Sequence, residues 1–197
     1  MLFIGHQIKW ENRFQGDTFD RCLVTVDGTH FLICKKYLKN SKRHNKKWYS
    51  HKFNSAGVTY EMAVCIKTGD IVWIHGPFVA STHDITMFRF RLKGMLAAGE
   101  KAMGDRGYAG DLKTITPNDA TSCHHKRSMS ALRGRHETVN RRFKTFGALQ
   151  QRFRHDVNKH HLFFRAAAVL IQLGHSNGYS HYDVVGYVDP AFEEDWD

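Results

Sequence analysis

Asp27 and Asp105 are acidic residues whose sequence contexts suggest that each carboxylate has a chemical role. Asp27 lies inside residues 23–33, an apolar and β-branched run that is typical of a buried strand. A bare carboxylate there would cost several kcal/mol of desolvation, so it needs a partner or a metal. Asp105 follows a short apolar stretch and precedes Gly107, where the chain can turn sharply beyond the end of a strand. Taken alone, Asp27 is also compatible with an internal salt bridge or hydrogen bond, and Asp105 with a turn-forming role.

Glu137 is a third acidic residue, and it is flanked by cations at helical spacing. Arg133 precedes it by four residues and Lys144 follows it by seven, so the three side chains share one face of a helix. This arrangement is expected where a carboxylate binds a metal and its neighbours bind phosphate. An ordinary ion pair on a solvated helix is the alternative.

The three carboxylates together suggest a site for hard divalent cations. Mg²⁺ prefers oxygen ligands and keeps its waters for substrate phosphates. Two such ions about 3.5–4 Å apart can activate a nucleophile and stabilise the leaving oxygen of a phosphodiester. The pattern therefore predicts phosphodiester chemistry at a site built from a strand, a strand end and a helix.

The charge of the chain favours a polyanionic partner. Its 197 residues include 29 Lys and Arg against 19 Asp and Glu, which gives a formal charge of +10. No acid occurs between Asp27 and Glu61, where eight basic residues, Lys46 and Lys47 among them, are interleaved with aromatic side chains. This segment suits phosphate contacts and base stacking, although a solvated basic loop is the alternative.

The hydrophobic pattern predicts a mixed α/β sheet with helices packed on it. The predicted helices cover residues 83–98, 131–155 and 157–173, and residues 117–129 are predicted to form a loop. The predicted strands are 23–33, 57–66, 71–74 and 101–104, the second and third of them forming a hairpin. No apolar run reaches the length needed to span a bilayer, and the first residues turn polar too early for a signal peptide.

The blocks at residues 26–30, 104–108 and 133–144 resemble the three motifs of the DDE transposases. The most similar members are the Harbinger-type eukaryotic group and related bacterial insertion-sequence transposases. Residues 69–73, 76–78 and 83–85 also match the pattern of this family, and the whole resemblance covers about residues 20–155. It implies a ribonuclease-H-like fold, with the first aspartate on the first strand and the glutamate on a helix beside the sheet.

The resemblance implies that Asp27, Asp105 and Glu137 form a catalytic triad that binds two Mg²⁺ or Mn²⁺ ions. The implied activity is that of an endonuclease and transposase, which nicks DNA at the transposon ends and then joins the freed 3′-hydroxyl to target DNA. The side chains expected to contact this DNA are Arg133, Arg141, Lys144, Lys46 and Lys47. The resemblance further implies that the protein associates with itself. It also implies a nuclear location if the protein is eukaryotic and a cytoplasmic location otherwise.

Two departures from the family pattern concern the region of Glu137. Many bacterial relatives have Tyr three residues before the arginine, where this chain has Ser130. Animal Harbinger members place their glutamate in a Val-Glu-Arg context near a Phe-Gly pair, whereas residues 140–147 contain no acid here. Despite both departures, we predict Glu137 as the third acid of the site.

We expect three regions along the chain: an N-terminal extension (1–19), the catalytic domain (20–175) and an acidic tail (176–197). The extension is too short for the helix-turn-helix domain that many family members use to recognise their ends. This favours a separate DNA-binding partner, a fragment, or a domesticated descendant that binds DNA or protein without catalysis. A general nuclease without strand transfer would share the same site. Structural zinc is disfavoured, because the clustered histidines lack paired ligand spacing.

Overall fold

A mixed β-sheet forms the centre of the molecule. The computed structural model describes residues 8–14, 22–34, 46–50, 54–120 and 122–181. Within these residues the strands are β1 (Cys22–Leu32), β2 (Tyr49–Ser50), β3 (Ser55–Cys65), β4 (Ile71–Val79), β5 (Lys101–Met103) and β6 (Thr114–Ile115). They follow the order β2-β3-β1-β5-β6, and β4 also pairs with β3.

Strand β1 lies between an antiparallel and a parallel half of this sheet. The antiparallel half is formed by β1, β3 and β4, and the parallel half by β1, β5 and β6. Strand β3 is buried along its whole length, and this includes the polar residues Thr59 and Glu61. The prediction of a ribonuclease-H-like α/β fold, with a mixed sheet flanked by helices, is confirmed.

Helices cover both faces of the sheet. They are α1 (Asp84–Phe90), α2 (Leu92–Met95), α3 (Cys123–Phe143), α4 (Gly147–Gln150) and α5 (His160–Ser176). Helices α3 and α5 pack on one face, where Phe143 and Phe164 stack at 4.7 Å between ring centroids. Phe88 of α1 and Leu92 of α2 pack on the other face, together with Trp10 from the short 3₁₀ helix Trp10–Phe14. None of the described helices is both long and apolar enough to cross a membrane.

The predicted boundaries of α3 were wrong at both ends. The predicted loop at 117–129 contains its first turns, because Ser122 Oγ accepts a hydrogen bond from the backbone N–H of His125 and caps the helix there. The helix ends at Phe143, not at residue 155. Phe153 instead forms backbone hydrogen bonds with Leu32 and Cys34, so tertiary pairing with the end of β1 overrides the helical pattern.

Three other elements also differ from the sequence prediction. The predicted helix over residues 83–98 is divided into α1 and α2 at Arg91, whose φ of −147° is not helical. Strand β4 continues to Val79, five residues beyond its predicted end. The two-residue strand β6 was not predicted, because so short a segment carries no periodic signal.

A buried ion pair attaches the Trp10–Phe14 helix to the domain. Arg13 Nε donates to Glu100 Oε1 at 2.8 Å, and both side chains are almost fully buried. The guanidinium of Arg13 also lies 4.1 Å from the ring centroid of Trp10 and 3.8 Å from that of Phe14. The ion pair and both cation–π contacts hold this helix against the sheet.

Candidate active site

The sheet register brings Asp27 and Asp105 close together. In the parallel pair of β1 and β5, Val24 lies beside Ala102 and Thr25 beside Met103. Continuing this register by two residues places Asp105, just beyond the carboxyl end of β5, next to Asp27. Side chains two residues apart on a strand point to the same face of the sheet. Asp27 and Asp105 each lie two residues beyond the neighbours Thr25 and Met103, so their carboxylates share one face. The edge of a sheet where parallel strands end is a common position for ligand sites.

The turn after β5 is shaped by two glycines. The backbone N–H of Gly107 donates to Asp105 Oδ1 at 2.7 Å, which fixes the orientation of this carboxylate. At Gly104 a Cβ would lie 2.6 Å from the ring of Tyr108, so only glycine lets this buried ring pack beneath the turn. The two glycines of the block at 104–108 therefore have distinct roles: Gly104 leaves room for Tyr108, and Gly107 donates a hydrogen bond to Asp105.

Helix α3 supplies the remaining side chains of a cavity of about 410 Å³, which we call the central cavity. All three predicted acids line it, together with basic residues and an amide. The residues that matter here are Asp27, Asp105, Arg133, Glu137, Asn140, Arg141 and Lys144. The helix therefore presents the predicted Arg133–Glu137–Lys144 face to the two aspartates of the sheet.

Two side-chain hydrogen bonds dock α3 onto β1 beside the central cavity. Asn140 Nδ2 donates to Asp27 Oδ2 at 2.8 Å. One helical turn earlier, His136 Nδ1 and the hydroxyl of Thr25 share a hydrogen bond of 2.9 Å. Burial, together with the charge of Arg135 and with His181, lowers the pKa of His136 to about 3, so this imidazole is neutral at physiological pH. His136 and Asn140 lie one helical turn apart on one face of α3, and Thr25 and Asp27 lie two residues apart on one face of β1. The two bonds therefore join the same faces of the helix and the strand.

Glu137 lies on the solvent side of the central cavity. Its side chain is 61% exposed, and its Oε2 is 3.9 Å from Arg141 Nη2 one turn along the helix. An exposed pair of this kind holds its side chains only weakly. Glu137 is therefore the least constrained of the three predicted acids, and it can change rotamer at little energetic cost.

The electrostatics of the site centre on Asp27. Burial raises the pKa of its carboxyl to about 6, and the charges of Asp105 and Asp84 add to this effect. The hydrogen bonds from the Gly28 N–H and from Asn140 act in the opposite direction and favour the charged form. A carboxylate crowded by two others is a position where a cation would relieve repulsion.

Asp84 is a fourth acid beside this site. At Gly28 a Cβ would lie 2.7 Å from Asp84 Oδ1, and at Gly107 it would lie 2.5 Å from Asp84 Oδ2. The carboxylate of Asp84 therefore lies between Gly28 and Gly107. Gly28 follows Asp27 directly in the sequence, and Gly107 follows Asp105 by two residues. A Cβ at either position would require the Asp84 side chain to shift.

The five predicted DNA-contacting residues fall into two groups. Arg133, Arg141 and Lys144 line the central cavity. Lys46 and Lys47 are exposed in a short segment before β2 and are not among the residues that line it. The backbone carbonyl of Lys47 accepts a hydrogen bond of 2.7 Å from Ser81 Oγ. The rest of the basic run, in residues 35–45 and 51–53, lies outside the described residues.

The donor set of the central cavity fits a hard divalent cation in chemistry. Asp27 and Asp105 supply carboxylate oxygens, and the buried Oδ1 of Asn140 has no hydrogen-bond partner in the described part of the chain. Yet among the described residues no group of three or more His, Cys, Asp or Glu side chains is close enough together to hold a metal ion. The carboxylates of Asp27 and Asp105 thus lie near that of Asp84 without forming such a group, and Glu137 would have to turn towards them.

Sequence reasoning missed Asn140 and His136 as parts of this site. Asn140 follows Glu137 by three residues and Arg133 by seven, so helical spacing places it on the same face. This spacing could have identified Asn140 as a residue of the site. The partners on β1 could not be identified from the sequence, because they depend on how α3 docks onto the sheet.

The sheet order and its flanking helices define an α/β domain of the ribonuclease-H-like class. Residues 26–172 match the profile of the DDE superfamily endonucleases, and this span covers most of the chain. The chain therefore belongs to the DDE superfamily endonuclease family, and the resemblance inferred from its motifs is confirmed. No curated protein and no solved structure gives a significant match.

Proposed function

We propose that residues 20–175 form the catalytic domain of a divalent-metal-dependent DNA endonuclease and transposase. The observation that carries this proposal is that Asp27, Asp105 and Glu137, far apart in the sequence, line one cavity in a chain of the DDE superfamily endonuclease family. Mg²⁺ or Mn²⁺ is the proposed cofactor, as two ions. The proposed substrates are transposon-end and target DNA, and the proposed location in a eukaryotic cell is the nucleus.

In this proposal Asp27 and Asp105 hold the cations, and Glu137 joins them by turning away from Arg141. When bound, the ions supply a nucleophile that is activated at neutral pH and charge stabilisation at phosphorus. The protein orients Asp27 through Asn140 and orients Asp105 through the backbone of Gly107. With a pKa of about 6, Asp27 is mostly ionised at pH 7 and available as a ligand.

The chemistry proposed at this site consists of two phosphoryl transfers. In the first, a water oxygen attacks phosphorus at the transposon end, the bond to the 3′-oxygen breaks, and a 3′-hydroxyl and a 5′-phosphate form. In the second, this 3′-oxygen attacks a target phosphodiester and displaces the target's own 3′-oxygen. Neither transfer needs a covalent protein intermediate. A separate DNA-binding protein and self-association are proposed as ways of bringing two ends together.

The basic residues of the central cavity are expected to contact phosphates. The double substitution Arg133→Ala/Lys144→Ala should weaken binding of a DNA duplex and lower the slope of log affinity against log salt by about two. Fluorescence anisotropy at several salt concentrations measures both quantities. Arg154→Ala/Lys159→Ala is the matched control, because it removes the same charge from exposed positions outside the cavity. Equal losses in both double variants would show that net charge alone governs binding.

Nicking of supercoiled plasmid and of a duplex carrying candidate element ends tests the proposal directly. Cleavage should require Mg²⁺ or Mn²⁺, stop with EDTA, and leave 3′-hydroxyl ends. Joined products in a plasmid assay would distinguish a transposase from a general nuclease. Absence of cleavage with either ion on both substrates would contradict the proposed activity.

A second candidate function is that of a transposase-derived protein that binds DNA or protein without catalysis. The separation of Glu137 from the two aspartates favours it, because the described acids form no group ready to hold a metal. The two functions differ in their response to metal. Binding of Mg²⁺ or Mn²⁺ to the folded state raises the melting temperature of an enzyme that uses the ion, whereas a non-catalytic descendant shows no such shift.

A further inference from the structure

We infer that Asn140 is a positioning residue, which sets the orientation of the Asp27 carboxylate for its work at the central cavity. This inference rests on the proposed function and deepens it. It names a neutral side chain on which the first acid of the site depends. The role is assigned from the hydrogen bond that Asn140, itself at the wall of the cavity, donates to Asp27 on β1.

The carboxylate of Asp27 is held by one hydrogen bond on each oxygen. Its Oδ1 accepts from the backbone N–H of Gly28 at 2.9 Å, and its Oδ2 accepts from Asn140 Nδ2 at 2.8 Å. The first bond comes from the neighbouring residue and restrains the side chain only locally. The second crosses from α3 to β1 and fixes the plane of the carboxylate. Because an ionised carboxylate can accept about four hydrogen bonds, lone pairs remain on both oxygens for a ligand in the cavity.

Asparagine suits this position for reasons of charge. A lysine or arginine there would neutralise Asp27, and an acid would add a further negative charge to a carboxylate already close to those of Asp105 and Asp84. The amide donates one hydrogen bond and adds no charge. Groups that orient a ligating side chain in this way are part of a metal site's design, and their loss typically costs about 10- to 100-fold in metal affinity or activity.

The neighbouring bond between Thr25 and His136 provides an internal comparison. It joins the same strand to the same helix, two residues earlier on β1 and one turn earlier on α3, and its length is also close to 2.9 Å. Both of its residues also line the central cavity, but the bond itself involves no carboxylate. Loss of either bond should loosen the docking of α3, but only loss of the Asn140 bond should release Asp27.

The test compares Mn²⁺ affinity and cleavage kinetics in the full chain. Asn140→Ala removes the donor, and Asn140→Leu removes it while keeping most of the volume. Thr25→Val is the matched control. We expect both Asn140 variants to raise the dissociation constant of Mn²⁺, measured by electron paramagnetic resonance, by about tenfold or more. The kcat for nicking should fall by a similar factor while the KM for DNA stays within about twofold, and Thr25→Val should leave Mn²⁺ affinity within about twofold.

Three results would overturn the inference in different ways. Unchanged Mn²⁺ affinity in both Asn140 variants would show that Asp27 does not depend on the amide. An equal loss in Thr25→Val would show that Asn140 acts only through the docking of α3. If the wild-type chain itself bound no Mn²⁺, the proposed function would fail together with the inference, whereas the first two results leave that function intact.

Discussion

Asp27→Asn should lower metal-dependent DNA cleavage by about a hundredfold or more, since loss even of a residue that only orients a metal ligand typically costs about 10- to 100-fold in activity. The substitution keeps the size of the side chain and removes the negative charge that a divalent cation needs. Nicking rates at saturating DNA, measured with Mg²⁺ and with Mn²⁺, provide the comparison. Glu11→Gln is the matched control, since Glu11 is exposed and does not line the central cavity.

The same substitution should not destabilise the fold. Burial and two neighbouring carboxylates raise the pKa of Asp27 from its ordinary value of 3.8 to about 6. The folded state therefore keeps a proton that the unfolded state releases, and stability falls as pH rises through this window. At pH 7 the charged form is a cost that asparagine removes, whereas its amide Nδ2 cannot accept the second of the two hydrogen bonds that the carboxylate receives, so the melting temperature should stay close to that of the wild type. Full cleavage activity in a folded Asp27→Asn protein would exclude Asp27 from catalysis.

Glu61→Gln should stabilise the protein at alkaline pH by a few kcal/mol. Glu61 lies on β3 opposite Gly28 of β1 and is completely buried. This burial raises its pKa from 4.5 to about 8, the hydrogen bond from Trp73 Nε1 lowers it, and the charge of Asp84 raises it further. Since the folded state binds a proton that the unfolded state has lost above pH 4.5, stability falls as pH rises from about 4.5 to 8. Glutamine keeps the shape and the acceptor for Trp73 but cannot ionise.

Urea unfolding at pH 5.5, 7 and 8.5 measures this effect. The stability difference between Glu61→Gln and the wild-type chain should grow from pH 5.5 to 8.5, because only the wild-type chain ionises at this position. Both proteins share the remaining slopes: the raised pKa of Asp27 lowers stability as pH rises, and the lowered pKa values of buried histidines such as His136 and His160 act in the opposite direction below about pH 6.5. The Glu11→Gln control should retain the wild-type slope. Parallel curves for the wild type and Glu61→Gln would show that Glu61 does not carry a buried charge at high pH.

Much of the fold could be predicted from the sequence because its strands are long and apolar. Strands β1 and β3 were placed within two residues of their observed ends, since β-branched runs bounded by polar segments have few alternatives. The breaks in the helical regions could not be predicted in the same way. The turn of the chain at Phe153 depends on backbone hydrogen bonds to β1, about 120 residues earlier in the sequence.

The candidate site shows the same division between local and long-range information. That Asp27 and Asp105 come together follows from a parallel pairing of the strands that carry them, and the helical spacing of Arg133, Glu137 and Lys144 is a local property. The hydrogen bond from Asn140 to Asp27 requires the docking angle of α3 on the sheet, which no local pattern specifies. The orientation of Glu137 depends on a weak surface pair with Arg141, and such pairs leave no clear signal in a sequence.

The most direct test of the central claim is the position of Mn²⁺ in crystals of the chain, located by its anomalous scattering. We expect a peak in the central cavity, with carboxylate oxygens of Asp27 and Asp105 about 2 Å from the ion and the side chain of Glu137 turned towards it. Mn²⁺ bound only elsewhere, or a central cavity without a peak at millimolar Mn²⁺, would show that these acids do not form a metal site.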